Sequence, residues 1–436
     1  MSRWLLDAQS THILNLPAMH TAGYSALEAQ PACGTCGGDK SPKHSPSRPM
    51  PNMVAHTPQA KGFSALNHSL DQALYGNGSH SGDATHGRPG VLVLGAGPTS
   101  SADLQATIMH ELQIASVLKD TAGVSGEDIY VGFVRDLPED EAAGDDSSTA
   151  SSGLQDSPKA FKAEVVQAFC RELDLTTEAL SQAETAIATD PAMARVGQIN
   201  MPFTMSPKIG ADVLFQRLEY TDGETGDPVF PELRRAVYGR SPASQTSERY
   251  QQALDYVQQI VSNSSAIHHA RETYQQQVRS LKENGVRCVV AVGNENSSNF
   301  GADVSDGQAF NLFCTPDTIN VAAATQEGDV ASFSSRSGEH NDTTPTVMTL
   351  GQAVPINPLL DSIDGRKDGH IDGTSFAAPQ VAGLLSRLNQ YNDLSASQED
   401  AWLATLQDKG VIVDTDAPES AEGLGWFKPM GFDVAA

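Results

Sequence analysis

The chain has 436 residues, of which 39% are hydrophobic and 19% are charged, a composition typical of folded globular proteins. Its 28 basic and 54 acidic side chains give a formal net charge of −26. This charge argues against nucleic acid as a partner, because affinity for a phosphate backbone comes from Lys and Arg, and it disfavours anionic membrane surfaces. No apolar run reaches the roughly 18 residues of a transmembrane helix, so no membrane insertion is expected.

The N-terminal region, residues 1–88, is predicted to be a flexible or propeptide-like arm. Segments such as 41–49 are rich in Ser and Pro and carry few apolar residues. The first seven residues include an acid and polar side chains where a secretory signal needs its apolar core. We therefore expect no conventional signal peptide, and either a cytoplasmic location or export by a non-classical route.

Strands and helices alternate along the rest of the chain. Val91 to Leu94 is a continuous apolar run closed by glycine, which predicts a buried parallel strand. Further strands are predicted at 129–134, 196–201, 286–292, 318–324 and 345–350. Helices are predicted at 103–119, 161–173, 177–188, 266–283, 376–390 and 397–408. The alternation predicts an α/β fold, a parallel sheet sandwiched by helices.

Two stretches interrupt this rhythm. Residues 136–160 are acidic and rich in Ser and Gly, which is typical of a solvated loop. Residues 205–258 follow no clean period and are interpreted as an insertion. We predict one domain at 89–412 that contains both insertions, followed by a C-terminal tail at 413–436.

The sequence motif with the clearest chemistry is the stretch 372–383, Asp-Gly-Thr-Ser-Phe-Ala-Ala-Pro-Gln-Val-Ala-Gly. Ser375 falls in the first turn of a predicted helix, where unpaired amides and the helix dipole favour a developing negative charge. A serine at a helix start is most often an N-cap. The whole stretch, however, resembles the nucleophile motif of the subtilisin-like serine proteases (subtilases, peptidase S8 family). That resemblance implies a subtilisin-like fold with Ser375 as nucleophile.

Two further stretches resemble the same family. Residues 289–296, Val-Val-Ala-Val-Gly-Asn-Glu-Asn, are similar to the strand and turn that carry the oxyanion-hole asparagine. The resemblance assigns that role to Asn294, whose amide would donate a hydrogen bond to the tetrahedral oxyanion. The predicted strand 196–201, which ends at Met201 and continues into Pro202 and Phe203, resembles the one leading to the substrate-lining edge. Substrate binding is assigned to these three residues, although the family's Ser-Leu-Gly is absent there.

The family's other two catalytic motifs are not found in their usual places. In subtilases the first strand ends in Asp-Ser/Thr-Gly and delivers the triad aspartate, but Gly95 stands at that position. The His-Gly-Thr-His helix start is also absent. His110, the only histidine of the helix after this strand, is the candidate general base. Its acid partner is predicted to be Asp103, although contact over that distance needs a bend in the helix; the neighbouring Glu111 is the alternative.

No cofactor is predicted. Cys33 and Cys36 form a lone C-x-x-C motif that could be half of a zinc site with His44, but a second pair is missing. Calcium, which subtilases often bind, is an alternative because four acids precede the nucleophile motif, namely Asp361, Asp364, Asp368 and Asp372. Their spacing is not that of a calcium loop, and a solvated loop is the preferred interpretation.

These patterns predict a serine endopeptidase-like protein that hydrolyses protein or peptide substrates through an acyl-enzyme on Ser375. The missing Asp and His motifs leave an alternative, a catalytically degenerate subtilase-like protein that binds peptides or a protein partner. A carboxylate-based triad like that of the sedolisins is a third reading, and Asn294 at the oxyanion position speaks against it.

Overall fold

The computed structural model describes residues 4–5, 12–15, 87–97, 104–135, 156–296 without 224 and 241, 304, 306–326, 329–335, 346–356, 369–391, 398–399, 412–414 and 424–427. Within these ranges, the strands are β1 (Trp4–Leu5), β2 (His12–Asn15), β3 (Gly90–Gly95), β4 (Ile129–Phe133), β5 (Val196–Met201), β6 (Arg287–Ala291), β7 (Ile319–Ala324), β8 (Thr346–Leu350), β9 (Val354–Pro355), β10 (His370–Ile371), β11 (Ile412–Asp414) and β12 (Leu424–Phe427).

The helices of the described part are α1 (Leu104–Ser116), α2 (Pro158–Thr189), α3 (Pro207–Glu219), α4 (Pro231–Tyr238), α5 (Thr246–Ser262), α6 (Ser265–Glu283), α7 (Asp306–Ala309) and α8 (Thr374–Tyr391). Helix α1 continues directly into a π-helical turn, Val117–Thr121, and a short 3-10 turn, Gly126–Asp128, precedes β4. None of the described helices is long and apolar enough to cross a membrane.

A ten-stranded sheet in the order β1-β2-β4-β3-β5-β6-β7-β8-β12-β11 organises the described residues. The seven strands from β4 to β12 in this order are parallel. The outer strands β2 and β11 run antiparallel to their inner neighbours. The chain goes from β3 to β4 on one side and returns to β5 on the other, so the carboxyl ends of β3 and β5 form the topological switch point.

Helices cover both faces of this sheet, because its central strands are apolar on both sides. On one face, Ile199 of β5 and Val290 of β6 pack in a core that is shared with α2 to α6. On the other face, Val91 of β3 and Val289 of β6 pack with α1 and with Val381 of α8. The predicted α/β sandwich is confirmed, and this arrangement places the start of α8 at the carboxyl edge of the parallel strands.

One sequence-based element prediction was wrong. Residues 161–173 and 177–188 form one helix, α2, because neither Gly nor Pro breaks the sequence between them and Thr177 Oγ1 donates back to Leu173 O at 2.7 Å. The stretch 205–258, for which no elements were predicted, contains helices α3 and α4 and most of α5, separated by turns that obscure a single period. Residues 136–155 and most of 397–408 lie outside the described residues.

The domain boundaries stay a prediction. In the described residues of the predicted N-terminal arm, β1 and β2 add to one edge of the sheet, with β2 paired to β4. In the predicted C-terminal tail, β12 pairs with β8 near the opposite edge.

Gly383 in α8 marks a close helix contact and gives a first prediction. A Cβ at this position would lie 2.3 Å from the Cβ of Ala122. Helix propensity alone favours Ala over Gly by about 1 kcal/mol, whereas overpacking costs about 1–3 kcal/mol. We expect Gly383→Ala to lower the free energy of urea unfolding.

The matched control is Gly126→Ala, because a Cβ there meets no atom within 4 Å. This variant should unfold at the same urea concentration as the wild type or slightly above it. Equal stability of the two glycine variants would contradict the tight packing of α8 on the turn after α1.

Candidate active site

Ser375 lies in the first turn of α8, which begins at Thr374. The helix is approached through Gly373, whose φ of 147° falls in the region that favours glycine. Ser375 is only 9% exposed, and its Oγ donates a 2.7 Å hydrogen bond to the carbonyl oxygen of Pro202, directly after β5. The hydroxyl therefore lies at the switch point of the sheet, beside the unpaired amides of a helix N-terminus.

Asn294 follows β6 and reaches the same helix start. Its Oδ1 accepts hydrogen bonds from Thr374 N at 2.9 Å and from Thr374 Oγ1 at 3.1 Å. With the amide oxygen held in this way, Asn294 Nδ2 lies close to Gly373. A Cβ built on Gly373 would be 3.5 Å from it. Asn294 is exposed, and Nδ2 has no hydrogen-bond partner among the described residues. The amide can therefore donate to a group that enters the site.

His110, on α1, lies beside the first turn of α8. Its ring packs edge-on against Phe376, the residue after Ser375, with ring centroids 5.6 Å apart. Its Nδ1 is 3.1 Å from Glu111 Oε1. In the described part of the chain no hydrogen bond joins His110 to Ser375, because the serine hydroxyl points at Pro202. Asp103, the predicted acid, lies outside the described residues.

Glu295 is a buried acid next to the site that the sequence reasoning did not single out. It is 8% exposed, and its Oε2 accepts a 3.1 Å hydrogen bond from Ser335 Oγ. Burial raises the pKa of Glu295 to about 7, against the opposing effects of Ser335 and of the Lys208 charge. A Cβ on Gly293 would lie 2.0 Å from Oε2, so only glycine leaves room for the carboxylate. The available signal was an acid two residues after the glycine that follows a buried strand.

The predicted substrate-binding residues have different surroundings. Pro202 supplies the carbonyl that Ser375 contacts. Phe203 is partly buried, with its ring edge-on to Phe313 at 5.1 Å. Met201 is fully buried, with its sulfur 3.9 Å from the Tyr274 hydroxyl, so any contact with a substrate would come from its backbone.

The acids considered for calcium are only partly described. Asp372 is exposed, and its Oδ1 accepts a 2.6 Å hydrogen bond from Ala353 N, so it stabilises a turn. Asp361, Asp364, Asp368, Cys33, Cys36 and His44 lie outside the described residues. The described part of the chain holds no group of three His, Cys, Asp or Glu side chains arranged for a metal ion.

A serine at a helix N-terminus, with an amide donor from the neighbouring strand end, is the arrangement that serine hydrolases use to attack a carbonyl group. The sequence comparison agrees with this class. Residues 235–426, which include Asn294 and Ser375, match the model of the subtilase family, Peptidase_S8. His110 lies outside the matched range.

Individual relatives are distant. The major intracellular serine protease of Bacillus subtilis (strain 168) is 25% identical over 146 residues, which cover 33% of this chain and 40% of that protein. A lanthipeptide protease structure is 11% identical, covering 86% of this chain and 94% of that one, with a TM-score of 0.39. The PatG macrocyclase domain is 13% identical, covering 87% and 77%, with a TM-score of 0.34. At these scores the solved structures carry no argument about this chain.

The buried Glu295 gives a second prediction, on pH and stability. Because burial raises its folded-state pKa from 4.5 to about 7, the folded chain binds this proton more tightly than the unfolded chain. The stabilising contribution is complete below the unfolded value and is lost as pH rises through about 7. Glu295→Gln stays neutral, so it should unfold at higher urea than the wild type at pH 8. The gain is up to about 3 kcal/mol, at 1.36 kcal/mol per pKa unit.

Urea unfolding at pH 5 and pH 8 checks this expectation, with the exposed Glu272→Gln as the matched control. The control should follow the wild type at both pH values. A Glu295→Gln variant that keeps the pH dependence of the wild type would contradict the assignment of a raised pKa to this carboxyl.

Proposed function

We propose that this protein hydrolyses peptide bonds in protein or peptide substrates through an acyl-enzyme formed on Ser375. The observation that carries the proposal is the pairing of Ser375 with Asn294 at the start of α8. Thr374 holds the Asn294 amide oxygen at 2.9 and 3.1 Å, which leaves its NH₂ group to donate beside the serine. The match of residues 235–426 to the subtilase family model supports a serine protease in general.

The proposed reaction follows from these positions. Ser375 Oγ attacks the substrate carbonyl carbon while His110 accepts the hydroxyl proton, which it then gives to the leaving amine. Asn294 Nδ2 and the amides at the start of α8 stabilise the negative oxygen of the tetrahedral intermediate. Water, deprotonated by His110, then hydrolyses the acyl-enzyme.

The first step of this reaction requires the Ser375 hydroxyl to leave the Pro202 carbonyl oxygen and turn toward His110. The proposed movement is a rotation of the Ser375 side chain about χ1 between staggered positions. Catalytic hydrogen bonds in substrate-free enzymes are often long or misaligned and tighten only in the complex. The contact between Ser375 and Pro202 is therefore compatible with a resting nucleophile.

The third prediction tests the nucleophile with a fluorophosphonate probe, which modifies activated serines. We expect the wild type to be labelled and Ser375→Ala to be unlabelled, because the reacting oxygen is removed. Ser332→Ala, which removes an exposed serine hydroxyl from the loop after β7, is the matched control and should label like the wild type.

Asn294→Ala extends the same test. Loss of one oxyanion donor should lower kcat about 10²- to 10³-fold with little change in KM, because the bond is made to the oxyanion and not to the ground-state substrate. A folded wild type that is not labelled at any pH from 4 to 9 would contradict hydrolysis. The same result would favour the alternative, a degenerate subtilase-like module that binds peptides.

A further inference from the structure

Glu111 occupies the space that a side chain at the end of β3 would fill. A Cβ on Gly95 would lie 2.5 Å from Glu111 Oε1 and 2.6 Å from its Cδ. No side chain other than hydrogen fits at residue 95 while this carboxylate is in place. The glycine at the strand end and the acid on α1 are therefore complementary in shape.

The contact between Glu111 and His110 does not come from helix spacing. Adjacent residues of a helix point in different directions, and side chains three or four apart are the ones that meet. The Glu111 carboxylate turns toward β3 and is 3% exposed, yet Oε1 stays 3.1 Å from His110 Nδ1. The imidazole is thus held between this carboxylate and the Phe376 ring, one residue from Ser375.

The burial of this carboxylate is costly for the fold. Glu111 Oε2 is buried and has no hydrogen-bond partner among the described residues. A buried polar atom without a partner costs free energy, and such costs are concentrated at sites where the group has a chemical task. In the described part of the chain, His110 is the only hydrogen-bond partner of this carboxylate.

We propose that Glu111 is the positioning residue for His110, a role that rests on the proposed function of Ser375. Its Oε1 accepts a hydrogen bond from Nδ1–H, which fixes the imidazole tautomer that leaves the Nε2 lone pair free to take the serine proton. Gly95 keeps the end of β3 open so that this carboxylate can approach the imidazole. The acid of the site thus comes from α1 and not from the strand.

The fourth prediction removes the charge of Glu111 and keeps its volume. Glu111→Gln should lower kcat about 10⁴-fold, as when the acid of a Ser-His-acid site is replaced by its amide, while KM changes less than about threefold, since the carboxylate does not touch substrate. The matched control is Glu127→Gln, which removes the same charge from an exposed side chain in the turn before β4 and should leave kcat within a factor of about three of wild type.

Moving the acid from α1 to the end of β3 distinguishes a positioning role of Glu111 from a packing role. Because a Cβ at Gly95 points at the present carboxylate, the double variant Glu111→Ala with Gly95→Asp should return an acid to the same place. We expect it to regain at least about tenfold in kcat over Glu111→Ala alone, by the coupling that contacting residues show. The matched control, Glu111→Ala with Gly95→Ala, fills the space without a charge and should show no recovery.

In the wild-type background, Gly95→Asp should instead destabilise the protein, because the new side chain would overlap Glu111 and place two carboxylates together. Opposite effects of one substitution in two backgrounds are expected only if both side chains compete for one position. Urea unfolding of every variant identifies any that fail to fold.

A spectroscopic measurement keeps this inference separate from the proposed function. In ¹⁵N NMR, the wild-type His110 ring should be protonated at Nδ1 when neutral, and Glu111→Gln should shift the tautomers toward protonation at Nε2. If the wild type is not labelled by the fluorophosphonate but holds this tautomer, the proposed function fails and the positioning contact stands. If the wild type is labelled, and Glu111→Gln changes neither kcat nor the tautomer, Glu111 is not the positioning residue.

Discussion

The site depends on the hydrogen bonds between Asn294 and Thr374. Thr374 N and Oγ1 both donate to Asn294 Oδ1, and Thr374 Oγ1 also accepts from Gly293 N at 3.2 Å. These bonds fasten the turn after β6 to the first turn of α8. They determine where the Asn294 NH₂ group points and where the helix that carries Ser375 begins, so the proposed nucleophile and the proposed oxyanion donor are fixed by one small network. Preorganised donors of this kind need no reorganisation during reaction.

Two glycines at strand ends share a structural role around this network. Gly293 leaves room for the buried Glu295 carboxylate, and Gly95 leaves room for that of Glu111. Each carboxylate can therefore occupy a poorly solvated position because the glycine beside it has no side chain. Removing the carboxylate from water costs free energy. Glu295 has Ser335 as a partner, whereas Glu111 has His110. The first contact ties two loops together, and the second reaches the imidazole beside the nucleophile.

The sequence predicted those parts of the site that lie in continuous stretches of backbone. Ser375 and Asn294 could be singled out because each lies in a short continuous motif that resembles a subtilase motif, and the alternating sheet fold follows from the periodicity of the sequence. The partner of His110 could not be found in this way. Whether Asp103 or Glu111 faces the imidazole depends on how α1 lies against β3, which is a tertiary property. Likewise, the single helix α2 was predicted as two helices, because the adjacent Thr176 and Thr177 weaken the helical pattern without ending the helix.

The hydrogen bond between Ser375 and Pro202 bears on whether this geometry can react. A neutral hydrogen bond contributes a net ~0.5–1.5 kcal/mol, so turning the hydroxyl toward His110 costs little beside the roughly 8 kcal/mol or more by which enzymes lower a barrier. The resting rotamer therefore hardly affects reactivity. The alignment of His110 matters more, because a misdirected imidazole cannot accept the proton in any serine rotamer, and that alignment depends on the carboxylate beside Gly95.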